Sequence, residues 1–195
     1  MTEKEINLKT IASIRSGYPF RFKIEPDLQG TLRVIQMKDL NQYNEIDLRD
    51  VIKTKVDDVP PQHLLQPGDI IFQSRGMHNN CVLVTEAVKQ AVADSSLTVI
   101  SLKSSKLRIN PGYLVWYLNH PHTQHQLSRL AAGTNLLRIS KSDLEKIEIK
   151  LPPLAKQKLI AEIDRLSRRE QQLLAKIAQK RQTYIAKSLE IEVIQ

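Results

Sequence analysis

The sequence predicts an α+β fold, a β-rich domain over residues 1–153 followed by one long C-terminal coiled-coil helix over residues 154–195. Three observations lead there. Up to about residue 150, short apolar runs alternate with Pro, Gly, Asn and Asp, the texture of short strands joined by tight turns. Pro152-Pro153 then interrupts the chain, and neither proline can donate to a sheet ladder. From residue 154 to about 194 there is no Pro and no Gly, and strong helix formers dominate.

The strands are read from β-branched and apolar runs. They are Leu32-Arg33-Val34-Ile35, Asp69-Ile70-Ile71-Phe72, Cys81-Val82-Leu83-Val84 and Leu97-Thr98-Val99-Ile100-Ser101. Turn formers separate them at Gln66-Pro67-Gly68, Met77-His78-Asn79-Asn80 and Asn110-Pro111-Gly112. Residues 7–14 read as a short helix. Residues 112–130 read as a longer one, with Leu114, Val115, Tyr117 and Leu118 on a buried face and Pro121 splitting it. Lys146-Ile147-Glu148-Ile149-Lys150-Leu151 alternates polar and apolar residues, as a half-buried strand does.

In the last segment Leu159, Ile163, Leu166, Leu173, Ile177 and Tyr184 recur at 4-3 spacing, with Glu170 and Lys180 as polar breaks. Ile160, Leu174 and Ile185 flank the same stripe. A helix of roughly 40 residues is about 60 Å long, longer than the domain before it. Its stripe needs cover, and pairing with another helix is the usual solution; folding back onto the domain is the alternative.

Composition narrows the function. Lys and Arg total 29 against 21 acidic residues, a net charge of +8 that suits a polyanionic partner or simply a solvated basic surface. Cys81 is the one cysteine, beside an apolar run, so it reads as a buried structural thiol. No apolar opening segment resembles a secretory signal, and no apolar run approaches the ~20 residues of a membrane span. A soluble, cytoplasmic protein without membrane partners is expected.

Catalytic signatures are thin. No Gly-rich loop ends in Gly-Lys-Ser/Thr, so no nucleotide-driven motor is expected. Leu151-Pro152-Pro153-Leu154 lacks the Asn or Asp and the aromatic residue with which an amino-methyltransferase holds a flipped base, and Val59-Pro60-Pro61-Gln62 is the other Pro-Pro site. Glu148-Ile149-Lys150, with Asp69 or Asp143, has the spacing of a small metal-dependent nuclease, but alternating strands produce Glu-x-Lys by chance. His122 and His125 lie three apart without a nearby Cys, Asp or Glu to complete a zinc site. Neither catalytic residues nor a bound metal is expected.

Specific residues resemble a known family. Leu8-Lys9-Thr10-Ile11-Ala12-Ser13-Ile14-Arg15-Ser16-Gly17 resembles the start of a type I restriction-modification target recognition domain. Val34-Ile35-Gln36-Met37-Lys38-Asp39-Leu40 resembles its first strand and turn. Leu65-Gln66-Pro67-Gly68-Asp69-Ile70-Ile71-Phe72-Gln73-Ser74-Arg75-Gly76 is similar to the family's "Pro-Gly-Asp-Ile … Ser-Arg-Gly" segment. Gly133-Thr134-Asn135-Leu136-Leu137-Arg138-Ile139 and Ile147-Glu148-Ile149-Lys150-Leu151-Pro152-Pro153-Leu154 follow, then Gln157 and Ile160 at the start of the long helix. Lys156 stands where the family usually has Glu. Family specificity (S) subunits carry two recognition domains and two long helices, whereas this sequence shows one of each and resembles a half-subunit.

The resemblance implies a non-catalytic subunit whose domain reads one half of a split site in double-stranded DNA and whose helix is the spacer. It implies no cofactor on this chain. S-adenosylmethionine would reside on a methyltransferase (M) subunit acting on adenine, and ATP and Mg on partner subunits; a restriction (R) subunit is a further partner the resemblance allows. Self-association through Leu159, Ile163, Leu166, Leu173, Ile177 and Tyr184 would give a homodimer with a palindromic bipartite target. Pairing with a full-length S subunit is the alternative within the family. Outside it, a coiled-coil interaction module with incidental DNA binding remains open.

Base reading needs side chains that reach groove edges, with phosphate contacts that hold the register. The loop after the Asp69 strand offers Ser74, Arg75, His78 and Asn79. Lys103, Lys106 and Arg108 supply cations suited to phosphate, and Thr134, Asn135 and Arg138 form a third polar loop. Each of these loops also reads as an ordinary solvated turn.

Overall fold

A computed structural model describes residues 4–56, 59–76, 79–104, 107–130 and 138–194. Its elements run β1 (Lys4–Asn7), α1 (Leu8–Ile11), β2 (Ala12–Ser16), β3 (Leu32–Ile35), β4 (Ile52–Thr54), β5 (Ile70–Gln73), β6 (Cys81–Leu83), β7 (Ala91–Ala93), β8 (Leu97–Leu102), α2 (Pro111–Asn119), α3 (Pro121–Leu130), α4 (Lys141–Lys146), β9 (Glu148–Leu151) and α5 (Leu154–Ile194). The α+β class expected from the sequence is the one observed.

The centre is an antiparallel four-stranded sheet in the order β2-β8-β5-β6. Strand β5 reads as an unbroken apolar run because both of its faces are covered. Ile70 and Phe72 pack with Ile14, Ile100 and helix α2, while Ile71 packs with Val99, Leu97 and Ile35 on the other side. The second sheet, β4-β3-β7, sets β3 antiparallel to β4 and parallel to β7. Strands β1 and β9 form a separate antiparallel pair that brings Ile6 opposite Ile149.

One element corrects the sequence reading. Residues 7–14 do not form a single helix: one turn, Leu8–Ile11, gives way to strand β2. Ala12 and Ile14 point into the core and Ser13 outward, so the segment has strand periodicity, and pairing with β8 satisfies its backbone. The break at Pro121 lies where it was expected, between α2 and α3. Helix α2 starts on Asn110, whose side chain accepts from the Tyr113 amide.

Helix α5 is 41 residues long, about 60 Å. Its base is locked by Gln157, which is only 2% exposed. The Gln157 amide donates to the Pro152 carbonyl (2.8 Å) and the Arg108 carbonyl (3.5 Å), and its oxygen accepts from the Asn110 N–H (2.9 Å). The Tyr113 hydroxyl donates to the Lys150 carbonyl at 2.5 Å, tying α2 to the strand that precedes α5. Gly112 lets the two helices close up, since a Cβ there would stand 3.1 Å from the Ala161 methyl.

Farther along, Arg168 ion-pairs with Asp164 at 2.8 Å and donates to the carbonyls of Tyr43 (3.2 Å) and Asn44 (3.3 Å), and Gln172 donates to the Glu45 carboxylate. The helix therefore docks through a largely polar face. Its apolar stripe faces outward: Leu159, Ile163, Leu166, Leu173, Ile177 and Tyr184 are 44–74% exposed.

Replacing Gln157 by Ala leaves the Asn110 N–H and the carbonyls of Pro152 and Arg108 without this partner. Chemical denaturation should show a loss of about 2–4 kcal/mol, and an unchanged midpoint would remove the lock from the account.

Candidate nucleic-acid interface

The loops that could reach a duplex leave the central sheet at two opposite ends. At one end β2 and β5 finish while β6 and β8 begin. Three segments are fastened there. Gly17 lies against the turn before β8, where a Cβ would fall 1.9 Å from the Asp94 carbonyl oxygen, so no other residue fits without movement. The Ser74 hydroxyl donates to the Ser96 carbonyl (3.2 Å), joining the loop after β5 to the same turn. The Asn79 amide donates to the Gln73 carbonyl (3.0 Å) and closes that loop at its base.

Helices α2 and α3 brace it from behind. Asn119 pairs with both backbone groups of Cys81 at 2.8 Å, acting as a strand partner for the free edge of β6. Gln124 donates to the carbonyls of Asn79 (2.9 Å) and Leu118 (2.7 Å). Burial of Cys81 pushes its thiol up, so it stays protonated and inert.

On this braced loop stand two arginines from distant parts of the chain. Arg75 forms an isolated antiparallel bridge with Arg138, extended by the Ile139 N–H donating to the Ser74 carbonyl at 3.0 Å. Residues directly opposite in such a bridge carry Cβ atoms about 4.5–5.5 Å apart. Both arginines are exposed, and among the described residues no carboxylate pairs with either. Gly76 follows in the left-handed region at φ 101°, a conformation that favours glycine. Two like charges held side by side repel, and an anion or the acceptor edge of guanine relieves that repulsion.

The other candidates fall elsewhere. Ser74 and Asn79 are 6% and 7% exposed, their side chains occupied in holding the loop. Lys103 and Arg108 are exposed at the opposite end of the sheet, roughly 20 Å away by the length of β8. There Lys103 donates to the Lys9 carbonyl, and the Arg108 carbonyl accepts from Gln157 at the base of α5. His78, Lys106, Thr134 and Asn135 lie outside the described residues.

The sequence reading passed over the segment Phe20-Arg21-Phe22-Lys23, which lines a cavity of about 450 Å³ with Tyr18, Thr54, Lys55 and Val56. Phe22 is 86% exposed among cations. Its alternation of aromatic and basic residues was the signal that could have found it. Asn119 and Gln124 gave no comparable signal, because their role depends on a packing partner far away in sequence.

The acids of the nuclease alternative have other work. Asp69 is buried and accepts from the Ser101 hydroxyl (2.6 Å), the Gln66 N–H (3.0 Å) and Arg15 (3.4 Å). Asp143 accepts from the Ser140 hydroxyl at the start of α4, which holds its carboxyl below the usual range. Glu148 sits on β9 in another sheet, and Lys150 ion-pairs with Glu5 at 3.5 Å. His122 contacts Gln126, and no three potential metal ligands come together among the described residues. No described helix is long and apolar enough to cross a membrane.

No curated protein matches the chain by sequence. Its fold is similar to that of three solved structures. One is the type I restriction-modification S subunit from M. genitalium, at 16% identity and TM-score 0.57, covering 83% of this chain and 38% of that one. The second is the HsdS subunit from Thermoanaerobacter tengcongensis, at 20% identity and TM-score 0.61, covering 90% and 39%. The third comes from a study of complex assembly and conformational transition of the type I R-M system, at 21% identity and TM-score 0.56, covering 88% and 39%. The chain thus spans about two-fifths of the length of the solved chains it matches. The family described as type I restriction modification DNA specificity domain matches residues 2–180, a recognition module and not a catalytic one, and the chain belongs to that family.

Proposed function

We propose that this chain reads one half of a bipartite duplex site, with Arg75 and Arg138 as the principal contacts, and that α5 joins it to a second copy. The pairing of these two arginines on one braced loop is the observation that carries the first part. A guanidinium grips the O6 and N7 of guanine in a bidentate manner, and two neighbours suit one base and an adjacent phosphate. Lys103 and Arg108, at the far end of the sheet, would contact phosphates beside the helix base and not the same bases.

The second part rests on the inverted helix. Its docked face is largely polar beyond the Ile160 and Ala161 contacts at its base, and its free face carries the apolar stripe, the reverse of a helix that only covers its own domain. A second identical stripe is the partner whose pattern matches. Two-fold symmetry then makes the half-sites inverted repeats. A methyltransferase subunit carrying S-adenosylmethionine would act at the bound site in the cytoplasm, with ATP and Mg confined to a restriction subunit where one is present.

Arg75→Ala should weaken binding to the preferred duplex by about 1–3 kcal/mol and relax preference at one base pair. Fluorescence anisotropy against single-base variants of that duplex checks this, and unchanged affinity and preference would take Arg75 out of the site. Arg138→Ala should act at the same or the neighbouring position. Replacing Ile163 and Ile177 together by Asp should leave a folded monomer, as judged by circular dichroism and light scattering. A dimer that survives would place the interface elsewhere.

A further inference from the structure

The segment that follows β2 leaves the central sheet at the same end as the Arg75 loop. Strands β2 and β5 flank β8, so their final residues lie about 10 Å apart. Both chains continue against one turn, residues 94–96. Tyr18 bridges Asp94 and donates its N–H to the Ala93 carbonyl at 2.7 Å, while the Ser74 hydroxyl holds the Ser96 carbonyl. The two segments are thus fastened to a common support.

From there every second residue is aromatic or apolar: Tyr18, Phe20, Phe22 and Ile24. Tyr18, Phe20 and Ile24 pack on Leu32, Val34 and Val92 of the second sheet. Tyr18 meets Phe20 and His63 edge-on, with ring centroids 4.8 and 5.3 Å apart. Phe22 has the same parity and yet is 86% exposed. The chain bends at Arg21 and Phe22, and the bend takes the ring out of the register that buries its neighbours. Packed residues on both sides of the bend anchor it. Arg21, Lys23 and Lys55 are exposed around the ring, and no acid is among the described residues that line the groove. Lys23 pairs with Glu25 at 4.0 Å, an exposed contact that a phosphate replaces at little cost. In sequence Asp57 and Asp58 follow Val56 directly, so the cations form a short cluster suited to neighbouring phosphates and not a track along a strand.

We propose that Phe22 is an apolar wedge that enters the duplex beside the half-site under Arg75 and Arg138, with Arg21, Lys23 and Lys55 on the flanking phosphates. This rests on the half-site reading above and adds a contact to it. An aromatic ring between cations suits the opening of a base step: the cations supply attraction, and the ring replaces the stacking that the opened step loses. Lysine is depleted in the core of protein interfaces, so cations flanking the ring favour a polyanion over a protein partner.

The wedge has a consequence for specificity. A phenyl ring offers no hydrogen bond, so it selects for ease of deformation and not for a base edge. Pyrimidine–purine steps unstack most readily, which gives the chain a preference at a position that no polar side chain reads. The chain from Tyr18 to Phe22 spans at most about 14 Å, the length of about four base pairs. The opened step therefore lies within about one turn of duplex from the bases under Arg75.

The fluorescent adenine analogue 2-aminopurine, dark when stacked and bright when unstacked, tests this in the duplex that the full chain selects from a random pool. Stepped through the positions beside the selected motif, it should brighten at one step with the wild-type chain. Phe22→Ala should abolish that brightening and weaken binding by about tenfold, while Phe22→Trp keeps both. Because the ring is exposed, Phe22→Ala should unfold at the wild-type denaturant midpoint, which separates a lost contact from a lost fold. Brightening that persists in Phe22→Ala, or wild-type affinity in that variant, would overturn the proposal. So would weakened binding with no bright position, which means a contact without insertion. A Phe22→Ala chain that binds DNA normally but no longer co-purifies with a candidate methyltransferase subunit would overturn it too, in favour of a protein-docking surface. A wild-type chain that selects no motif removes the half-site reading and the wedge with it, whereas the other outcomes leave that reading standing.

Discussion

The amide of Gln157 is the contact on which the rest of the molecule's geometry depends. It sits where three chain segments meet: the loop before α2, the Pro152-Pro153 step and the first turn of α5. Each of those segments carries backbone groups that need partners in a buried or half-buried place, and one side chain supplies them. The Tyr113 hydroxyl and the Gly112–Ala161 contact close the same joint from the other side. A long helix attached by a single flexible linker would make a poor ruler. Attached this way, and again at Arg168 and Gln172, it holds a fixed angle to the sheet.

That rigidity links the two ends of the molecule. The central sheet is the beam: Arg75 and Arg138 stand at one end, and the base of α5 is fastened at the other beside Lys103 and Arg108. A displacement of the helix therefore becomes a displacement of the arginines. The inward face of α5 uses polar contacts, which specify position, and its outward face keeps the exposed apolar area. The division explains how one helix can be docked and still have a surface to offer.

Much of this was legible in the residues. The strands around Val34, Ile71, Val82 and Val99, the break at Pro121 and the 41-residue helix all carry their own periodicity. Strand β2 reads as helix in the sequence because five residues after a helical turn give too little pattern to separate the two periods. Strands β4 and β7, of three residues each, are strands only because β3 lies between them. The candidate site was legible in composition but not in arrangement. Nothing local distinguishes Arg75 from Lys103; the sheet order sends them to opposite ends. Nothing local joins Arg75 to Arg138 either, since their bridge is a product of the whole fold. Ser74 and Asn79 have side chains that could read bases, yet both are buried and hold their own loop.

The central claim is that two rigid reading heads are held at one separation. Sequencing the duplexes that the chain, together with a candidate methyltransferase subunit, retains from a random pool tests it most directly. The account predicts one short motif appearing twice, inverted, with a single fixed number of base pairs between the copies. A lone motif, a spacing that varies, or no enrichment at all would contradict it.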